Sequence, residues 1–456
     1  MFILTSLALA AQPIPAPVAP APPPIAEHPA SPPRTPRRLK LSGTIRARYE
    51  TVAGQVRPGF NDSDQLVNFR TTLLAEYDAK PLRIVAELYD SRAYGANRRT
   101  PVSTNEVNTL ELVQAYVAAD LGAVAKGGNA SVQAGRFLLN LGSRRLVAAD
   151  DYRNTTNSYT GLRGDLSLRG GWKATLIYTL PQVRRPDDLS AVLNNKVSPD
   201  RESFDLVLWG GVASKTKAIG PLTGEMSYFH LGERDAPARP TRNRSLDTVS
   251  MHAIADPAIG RIDGEIEAIG QRGHIAATLA PGAPTLDVAA WFLHADLGYT
   301  FPGAWRPRVS IEYDRASGDG TGAKYTRFDP LFGMRRADLA PAGLYNAVGR
   351  TNLSSPGIRV EVVPDRMIDA FFSYRPIWLA DRTDSFSTTG VRDATGRSGS
   401  FAGHQIDARI RYLALSWLRL EADGVVLAKG GFLRNAPNAT PSRIERYLSL
   451  NATATF

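Results

Sequence analysis

Residues 446–456 read RYLSLNATATF, a two-residue rhythm that closes on an aromatic side chain. In an extended strand Leu448, Leu450, Ala452, Ala454 and Phe456 fall on one side, and Tyr447, Ser449, Asn451, Thr453 and Thr455 on the other. A soluble sheet with one wet face produces the same pattern. The segment therefore decides the fold only together with what precedes it.

The rhythm recurs from Leu41 onward. In LSGTIRARYE, Leu41, Gly43, Ile45, Ala47 and Tyr49 oppose Ser42, Thr44, Arg46, Arg48 and Glu50. In QLVNFRTTLLAEYD, Val67, Phe69, Leu73, Ala75 and Tyr77 oppose Asn68, Arg70, Thr72, Glu76 and Asp78. GRIDGEIEAIG sets Ile262 and Ile266 against Arg261, Asp263, Glu265 and Glu267, and HQIDARIRY sets Ile406, Ala408, Ile410 and Tyr412 against Gln405, Asp407, Arg409 and Arg411. No helical period is sustained, so the chain is nearly all β.

The joins say more than the strands. Short turns are expected near 79–81, 121–129, 170–171, 214–221, 257–258, 302–303, 364–365 and 414–416. Between them lie long polar stretches near 51–64, 91–108, 138–160, 181–200, 232–245, 272–285, 315–355, 381–401 and 429–443. Nine long joins alternating with eight short ones predict 18 strands, with 16 as the nearest alternative. Long loops at one end and short turns at the other describe an up-and-down transmembrane β-barrel with external loops and periplasmic turns. An even strand number brings both ends of the chain to the periplasmic side.

Several strands carry two or three charges on one face, which a packed soluble core could not hold without prohibitive desolvation. In a barrel closed across a bilayer the faces invert, with apolar residues meeting lipid and the charged set facing a wet lumen. A soluble sandwich or propeller is the competing architecture, and no blade-length repeat supports a propeller. Hydrophobic content of 43% fits either, since alternation hides a lipid-facing surface from averaging. The chain holds no run of about 18 apolar residues, which excludes a helical span. Tyr299, Phe301, Trp305, Tyr374, Trp378, Tyr412 and Trp417 fall near expected strand ends, where interfacial aromatic belts form.

The N-terminal MFILTSLALAAQ has the apolar run and small-x-small site of a secretory signal, without the usual preceding Lys or Arg, and is assigned to residues 1–11. Residues 12–39 are dense in proline and expected to form an extended, disordered linker. The barrel is expected over 40–456.

The chain carries a net charge of +10, and of its 54 basic residues nine are Lys, leaving 45 Arg. A planar guanidinium fork suits carboxylate or phosphate in a confined space. No nucleic-acid-binding motif accompanies the charge, so no nucleic-acid partner is expected. Cysteine is absent, which removes disulfides and thiolate chemistry. The six His show no helical metal spacing, and neither a Ser/His/Asp set nor a phosphate loop stands out, so no cofactor, metal or catalysis is expected. The segments ASGDG and FDPLFG belong to a loop that could plug the pore, with too few oxygens at fixed spacing for calcium at Asp314 and Asp319.

The closing strand ending on Phe456 resembles the recognition strand that outer-membrane proteins present to the barrel-assembly machinery. Two longer regions resemble the alginate-export family of outer-membrane barrels. One is QAGRFLLNLGSRRLVAADDYRNTTNSYTGLRGDL at 133–166. The other runs from EYDRASGDGTGAKYTRFDPLFG at 312–333 through LYNAVGRTNLSSPGIRVEVVPDRMIDAFFSYRPIWLADRTD to HQIDARIRY at 404–412. The resemblance implies an 18-stranded barrel with an arginine-rich lumen through which an anionic uronate polysaccharide diffuses. The proline-rich leader and the acidic trio Asp263, Glu265 and Glu267 depart from that pattern.

Arg46, Arg48, Arg70, Arg163, Arg359, Arg409 and Arg411 occupy the inward phase of their strands and form the expected pore lining. Arg136, in GRF, joins them on the resemblance, although its phase is that of Val132 and Ala134. A ring of arginines attracts anions without a tight site. The structural alternative is that these residues knit the wall by pairing with Glu50, Glu76, Asp165, Glu361 or Asp407. Arg144, Arg145 and Arg153 either fold inward or face solvent. The reading is an outer-membrane passive channel for an alginate-like polymer or related anionic saccharides. A general anion porin and a barrel-embedded enzyme are the alternatives.

Overall fold

The computed structural model describes residues 38–456, other than 125–126, 237–238 and 336–337. The expected signal and all but the last two residues of the expected linker lie outside the described residues.

Alternating side chains and turn residues at the joins produce eighteen described strands. The first six are β1 (Leu39–Ala53), β2 (Ser63–Ala79), β3 (Leu82–Tyr94), β4 (Asn108–Val124), β5 (Gly128–Leu138) and β6 (Ser158–Leu168). Then come β7 (Trp172–Pro181), β8 (Leu206–Ile219), β9 (Leu222–Glu233), β10 (Ser245–Ala255), β11 (Ile262–Ala276) and β12 (Thr285–Thr300). The last are β13 (Arg308–Ala316), β14 (Leu353–Val362), β15 (Ile368–Trp378), β16 (Phe401–Leu415), β17 (Leu418–Lys429) and β18 (Ile444–Thr455). Two five-residue helices, α1 (Leu189–Leu193) and α2 (Gly431–Asn435), sit in long loops.

Each strand pairs antiparallel with its neighbours in sequence, and β18 returns to β1 in register from Thr44↔Thr455 to Ala53↔Arg446. The sheet is closed and has no edge, the condition for placing strands in hydrocarbon. Gly43 and Phe456 exchange both backbone hydrogen bonds at 3.0 Å, and a Cβ on Gly43 would stand 2.6 Å from the Phe456 ring. The seam needs glycine there.

The eight short and nine long joins all fall where the sequence places them, and the count is 18 rather than 16. Several boundaries shift by a few residues, and two of the shifts have a visible local cause. The loop after β7 runs five residues further than expected, to Asp205, because Ser203 accepts from Leu206 N and Asp205 N in a local turn that delays β8. By contrast β11 continues to Ala276, with Gly273 at φ +136 keeping the ladder to β10 going as far as His274. A side chain on Gly273 would run into the backbone of Ser245, so the strand can pass there only as glycine.

The two faces are inverted as expected. Outward positions such as Ile45, Leu73, Leu88, Leu176, Ile262 and Ile311 are exposed, while inward Arg46, Glu50, Thr72, Ser227, Asp263 and Ser310 are buried. At the short-turn end Trp172, Phe301, Trp305, Tyr412 and Trp417 stand exposed, and Tyr299 packs edge-on to Phe301 at 4.8 Å. Tyr94 and Trp209 mark the other end. Tyr374 and Trp378 also lie towards the long loops, where Tyr374 stacks on His404 and Trp378 leans on Phe401.

Leu176, near the middle of β7 and 68% exposed, tests the inversion. Leu176→Arg is expected to destabilise the barrel by about 2–4 kcal/mol, as a charge placed in hydrocarbon does, read from urea unfolding in phospholipid vesicles.

Candidate functional site: an arginine wall and two inward loops

Antiparallel pairing puts register partners side by side, and alternation sends one parity inward, so lumen residues form rows across the strands. One row reads Arg48, Asn451, Glu421, Arg411 and Asp369, crossing β1, β18, β17, β16 and β15. The next reads Glu50, Ser449, Asp423, Arg409, Phe371 and Glu361, reaching β14. Arg46 and Arg70 are register partners on β1 and β2. Six of the expected arginines, Arg46, Arg48, Arg70, Arg359, Arg409 and Arg411, thus share one continuous stretch of wall.

Two stand apart. Arg163 faces inward on β6, where Asp165 holds it at 2.7 and 2.8 Å. Arg136 keeps the phase of exposed Val132 and Ala134. It donates to Glu111 at 2.7 Å, the Leu112 carbonyl at 2.8 Å and Glu202 at 2.8 Å, tying the loop after β7 to β4.

Like charges opposed on neighbouring strands repel. Arg46 and Arg70 are held together largely by backbone carbonyls, which accept hydrogen bonds without cancelling charge. Arg46 donates to the carbonyls of Asp151 at 3.2 Å and Arg153 at 2.6 Å, and Arg70 to the same two at 3.2 Å. The single carboxylate between them is Asp151, 3.0 Å from Arg70. The Nε donors of Arg46 and Arg70 are buried without a hydrogen-bond partner. Arg48 lies over the Tyr152 ring at 4.3 Å, and Arg359 and Arg409 flank the Phe371 ring at 3.9 and 4.8 Å. A ring face holds a guanidinium flat, for roughly 0.5–2 kcal/mol, and leaves its edge to other acceptors.

The lumen is not an empty pipe. The loops at 139–157 and 317–352 fold into it from the long-loop end. Leu139, Leu146, Val147, Phe332 and Tyr345 form part of an interior apolar plug, with Phe332 edge-on to Tyr159 at 5.7 Å. An ionic knot fixes both loops to the wall. Arg145, from the first loop, reaches Asp338 of the second at 2.8 Å and Glu267 of β11 at 2.8 Å, and also bonds Glu265. Asp338 in turn pairs with Arg350. Arg375 of β15 donates to Glu312 at 2.6 Å, Asp314 at 3.0 Å and the Asp338 carbonyl at 2.7 Å. His294 and His252 complete the knot at Asp314 and Glu265, at 2.8 and 2.9 Å. His294, Asp314 and Asp338 offer ligand atoms within 4.8 Å of one another, but Arg375, Arg145 and Arg350 already supply the positive charge a metal would bring.

The acidic trio is thereby explained. Glu265 and Glu267 bind Arg145, and Asp263 binds Arg308 at 2.9 Å, so these carboxylates are consumed in holding loops and wall. Asp314 is likewise committed to an ion pair. Of the three loop arginines, Arg145 folds inward most completely. Sequence reasoning missed Tyr152, Asp338, Arg350 and Arg375. The available signal was the apolar run Leu146–Ala149 inside an otherwise polar loop, which a solvent-facing loop has no reason to carry.

A closed cylinder with an apolar outside, aromatic belts and a charged interior is an outer-membrane channel. The chain belongs to the alginate-export family, whose model, described as alginate export, matches residues 37–445. No curated relative matches in sequence. Among solved structures, the outer-membrane protein OpdK of Pseudomonas aeruginosa has a TM-score of 0.57 at 11% identity, over 91% of this chain and 99% of that one. OccK2 (OpdF) of P. aeruginosa, in complex with glucuronate, has 0.56 at 11% over 92% and 98%. OccD3 (OpdP) of P. aeruginosa has 0.57 at 15% over 92% and 91%. At such identities these structures bear on the fold. The protein resides in the bacterial outer membrane.

Removing one member of a buried ion pair costs on the order of 3–5 kcal/mol. Arg145→Met is therefore expected to free both loops and raise single-channel conductance while the barrel stays folded. Burial alone would raise the Asp338 pKa, but Arg145 and Arg350 hold it well below the ordinary value. A depressed carboxylate stabilises fully above the unfolded pKa of about 4 and loses that contribution as pH falls towards its own lower value. Planar-bilayer recordings should accordingly show loop docking weaken below about pH 4 and recover on neutralisation.

Proposed function

We propose that this channel passes anionic saccharides by diffusion, with alginate-like uronate polymers first among them. The observation that carries the reading is the stretch of six inward guanidiniums whose acceptors are mainly carbonyls, ring faces and shared carboxylates. Carboxylates stand among them, with Glu50 beside Arg48, Glu361 beside Arg359 and Asp369 shared by Arg409 and Arg411, while the acids of β11 and β13 are held by Arg145, Arg308 and Arg375. A field of one sign, focused by a low-dielectric wall, raises the local anion concentration.

Transit needs contacts that form and break readily. Along this wall a uronate carboxylate can replace Asp151 on Arg70, move to Arg46 or Arg48, and then to Arg411, Arg409 and Arg359. Each site offers part of a fork. Arg163, paired with Asp165, and Arg136, paired with Glu111 and Glu202, lie outside this stretch. The outer face meets membrane lipid, and β18 with Phe456 is the strand offered to the barrel-assembly machinery. Family membership supports the polymer. The two inward loops, which narrow the passage, favour a second reading as a porin for small anionic nutrients, and OccK2 crystallised with a single uronate accords with it.

In planar bilayers the wild-type channel is expected to prefer anions, and Arg46→Gln, Arg409→Gln and Arg411→Gln combined should bring its permeability ratio towards unity. Polymannuronate added to one side should interrupt small-anion current while dextran of equal length does not. Current indifferent to polymannuronate would favour the small-anion porin, and a triple variant with unchanged preference would remove these residues from the path.

A further inference from the structure

A cavity of about 370 Å³ lies among the loops, walled by parts of 104–105, 150–159, 181–184, 330–335 and 342–351. Its size is at the small end of the roughly 300–1,000 Å³ typical of small-molecule sites. Arg153, Arg184, Arg335 and Arg350 line it, and among the described residues Asp150 is its only carboxylate. None of these five belongs to the strand-borne wall.

Arg153 and Arg184 are held side by side by neutral acceptors. Asn157 Oδ1 accepts from Arg153 at 2.6 Å and from Arg184 at 2.5 Å, and Asn105 Oδ1 accepts from them at 2.9 and 3.1 Å. Amide oxygens position two guanidiniums without discharging them. Asp150 lies 3.0 Å from Arg153, whereas Arg184 has no ion pair among the described residues. Burial, with Arg153 close by, brings the Arg184 pKa down to about 9, and burial with neighbouring arginines brings Arg335 to about 10.

Four polar atoms of the lining are buried without a hydrogen-bond partner: Arg153 Nε, which faces Asp150 Oδ2 at 3.0 Å as an ion pair only, Arg335 Nη1, Thr351 Oγ1 and Asp150 Oδ1. Buried polar atoms are rarely left unmatched, and each is costly unless something fills the space. Three can donate and one must accept. A bare anion would satisfy the cations and leave Asp150 facing a like charge. A neutral sugar would leave the cations uncompensated. A molecule with both a carboxylate and hydroxyl groups answers both kinds, and the Tyr159 and Phe332 side chains in the lining offer apolar surface to a ring.

We propose that this cavity binds a single carboxylated sugar ring, its carboxylate on Arg153, Arg184 and Arg335 and a hydroxyl on Asp150. The choice of a uronate among hydroxylated carboxylates rests on the transport reading, and the site itself does not. Formed mainly by loops, with Ser158, Tyr159 and Pro181 at the long-loop ends of β6 and β7, it acts as a docking station beside the path.

Titration calorimetry of the detergent-solubilised full chain with galacturonate, and with galactose as the uncharged control, tests it. Galacturonate should bind one per chain and galactose should not. Asn105→Asp, which wedges a carboxylate between Arg153 and Arg184 with little change of shape, and Arg335→Gln should each weaken binding about tenfold or more, the scale of one charge-assisted hydrogen bond. Gel mobility before and after heating checks that both variants remain folded barrels. Absence of galacturonate binding, equal binding of galactose, or wild-type affinity in folded Asn105→Asp would overturn the proposal. Bilayer recordings on the same preparations separate the two readings. Binding with these dependences in a channel lacking anion preference leaves the docking site standing and removes the transport reading, and the converse result removes the site alone.

Discussion

In hydrocarbon no water competes for a peptide group, so every N–H and C=O of a spanning strand must find its partner in the protein. Here that demand is met by eighteen antiparallel strands closed from β18 to β1, and most other features follow. Closure assigns the two parities of every strand to opposite solvents. It turns charged residues that a soluble core would reject into the natural lining of the lumen, and it leaves the exposed isoleucines and leucines where lipid covers them. The Gly43–Phe456 seam is where the demand is most local, because there the last residue and one without a side chain complete the ladder together.

Given a wet interior, charge distribution becomes the deciding matter. The wall from β14 to β18 and across β1 and β2 presents guanidiniums whose partners are largely neutral or shared. The wall from β9 to β13 presents carboxylates, and these are matched by Arg145, Arg308 and Arg375, while Arg350 pairs with Asp338 of the second loop. The arginine wall also carries Glu50, Glu361, Asp369, Glu421 and Asp423, so the two walls differ in how their charges are paired and not by a separation of sign.

Strand number, joins and the phase of most arginines were legible because each depends on local rules: period-two alternation, turn residues, and the opposition of faces. Where local rules bend, reading faltered. Ser203 and Asp205 form a turn that postpones β8, and Gly273 carries β11 past its expected end. Arg136 illustrates a different limit, since its partners Glu111 and Glu202 come from other segments and nothing nearby in sequence announces them. The loop knot was illegible for the same reason. Arg145 and Asp338 are 193 residues apart, and their pairing depends on two loops folding into one space. Only the apolar run Leu146–Ala149 hinted at it.

That pairing also governs how the passage can open. With the guanidinium carried by one stopper and its carboxylate by the other, departure of either breaks the ion pair that joins them and leaves Arg145 to Glu265 and Glu267, or Asp338 to Arg350. The pair therefore behaves as a single latch, and the pore should flicker between discrete levels instead of widening by degrees.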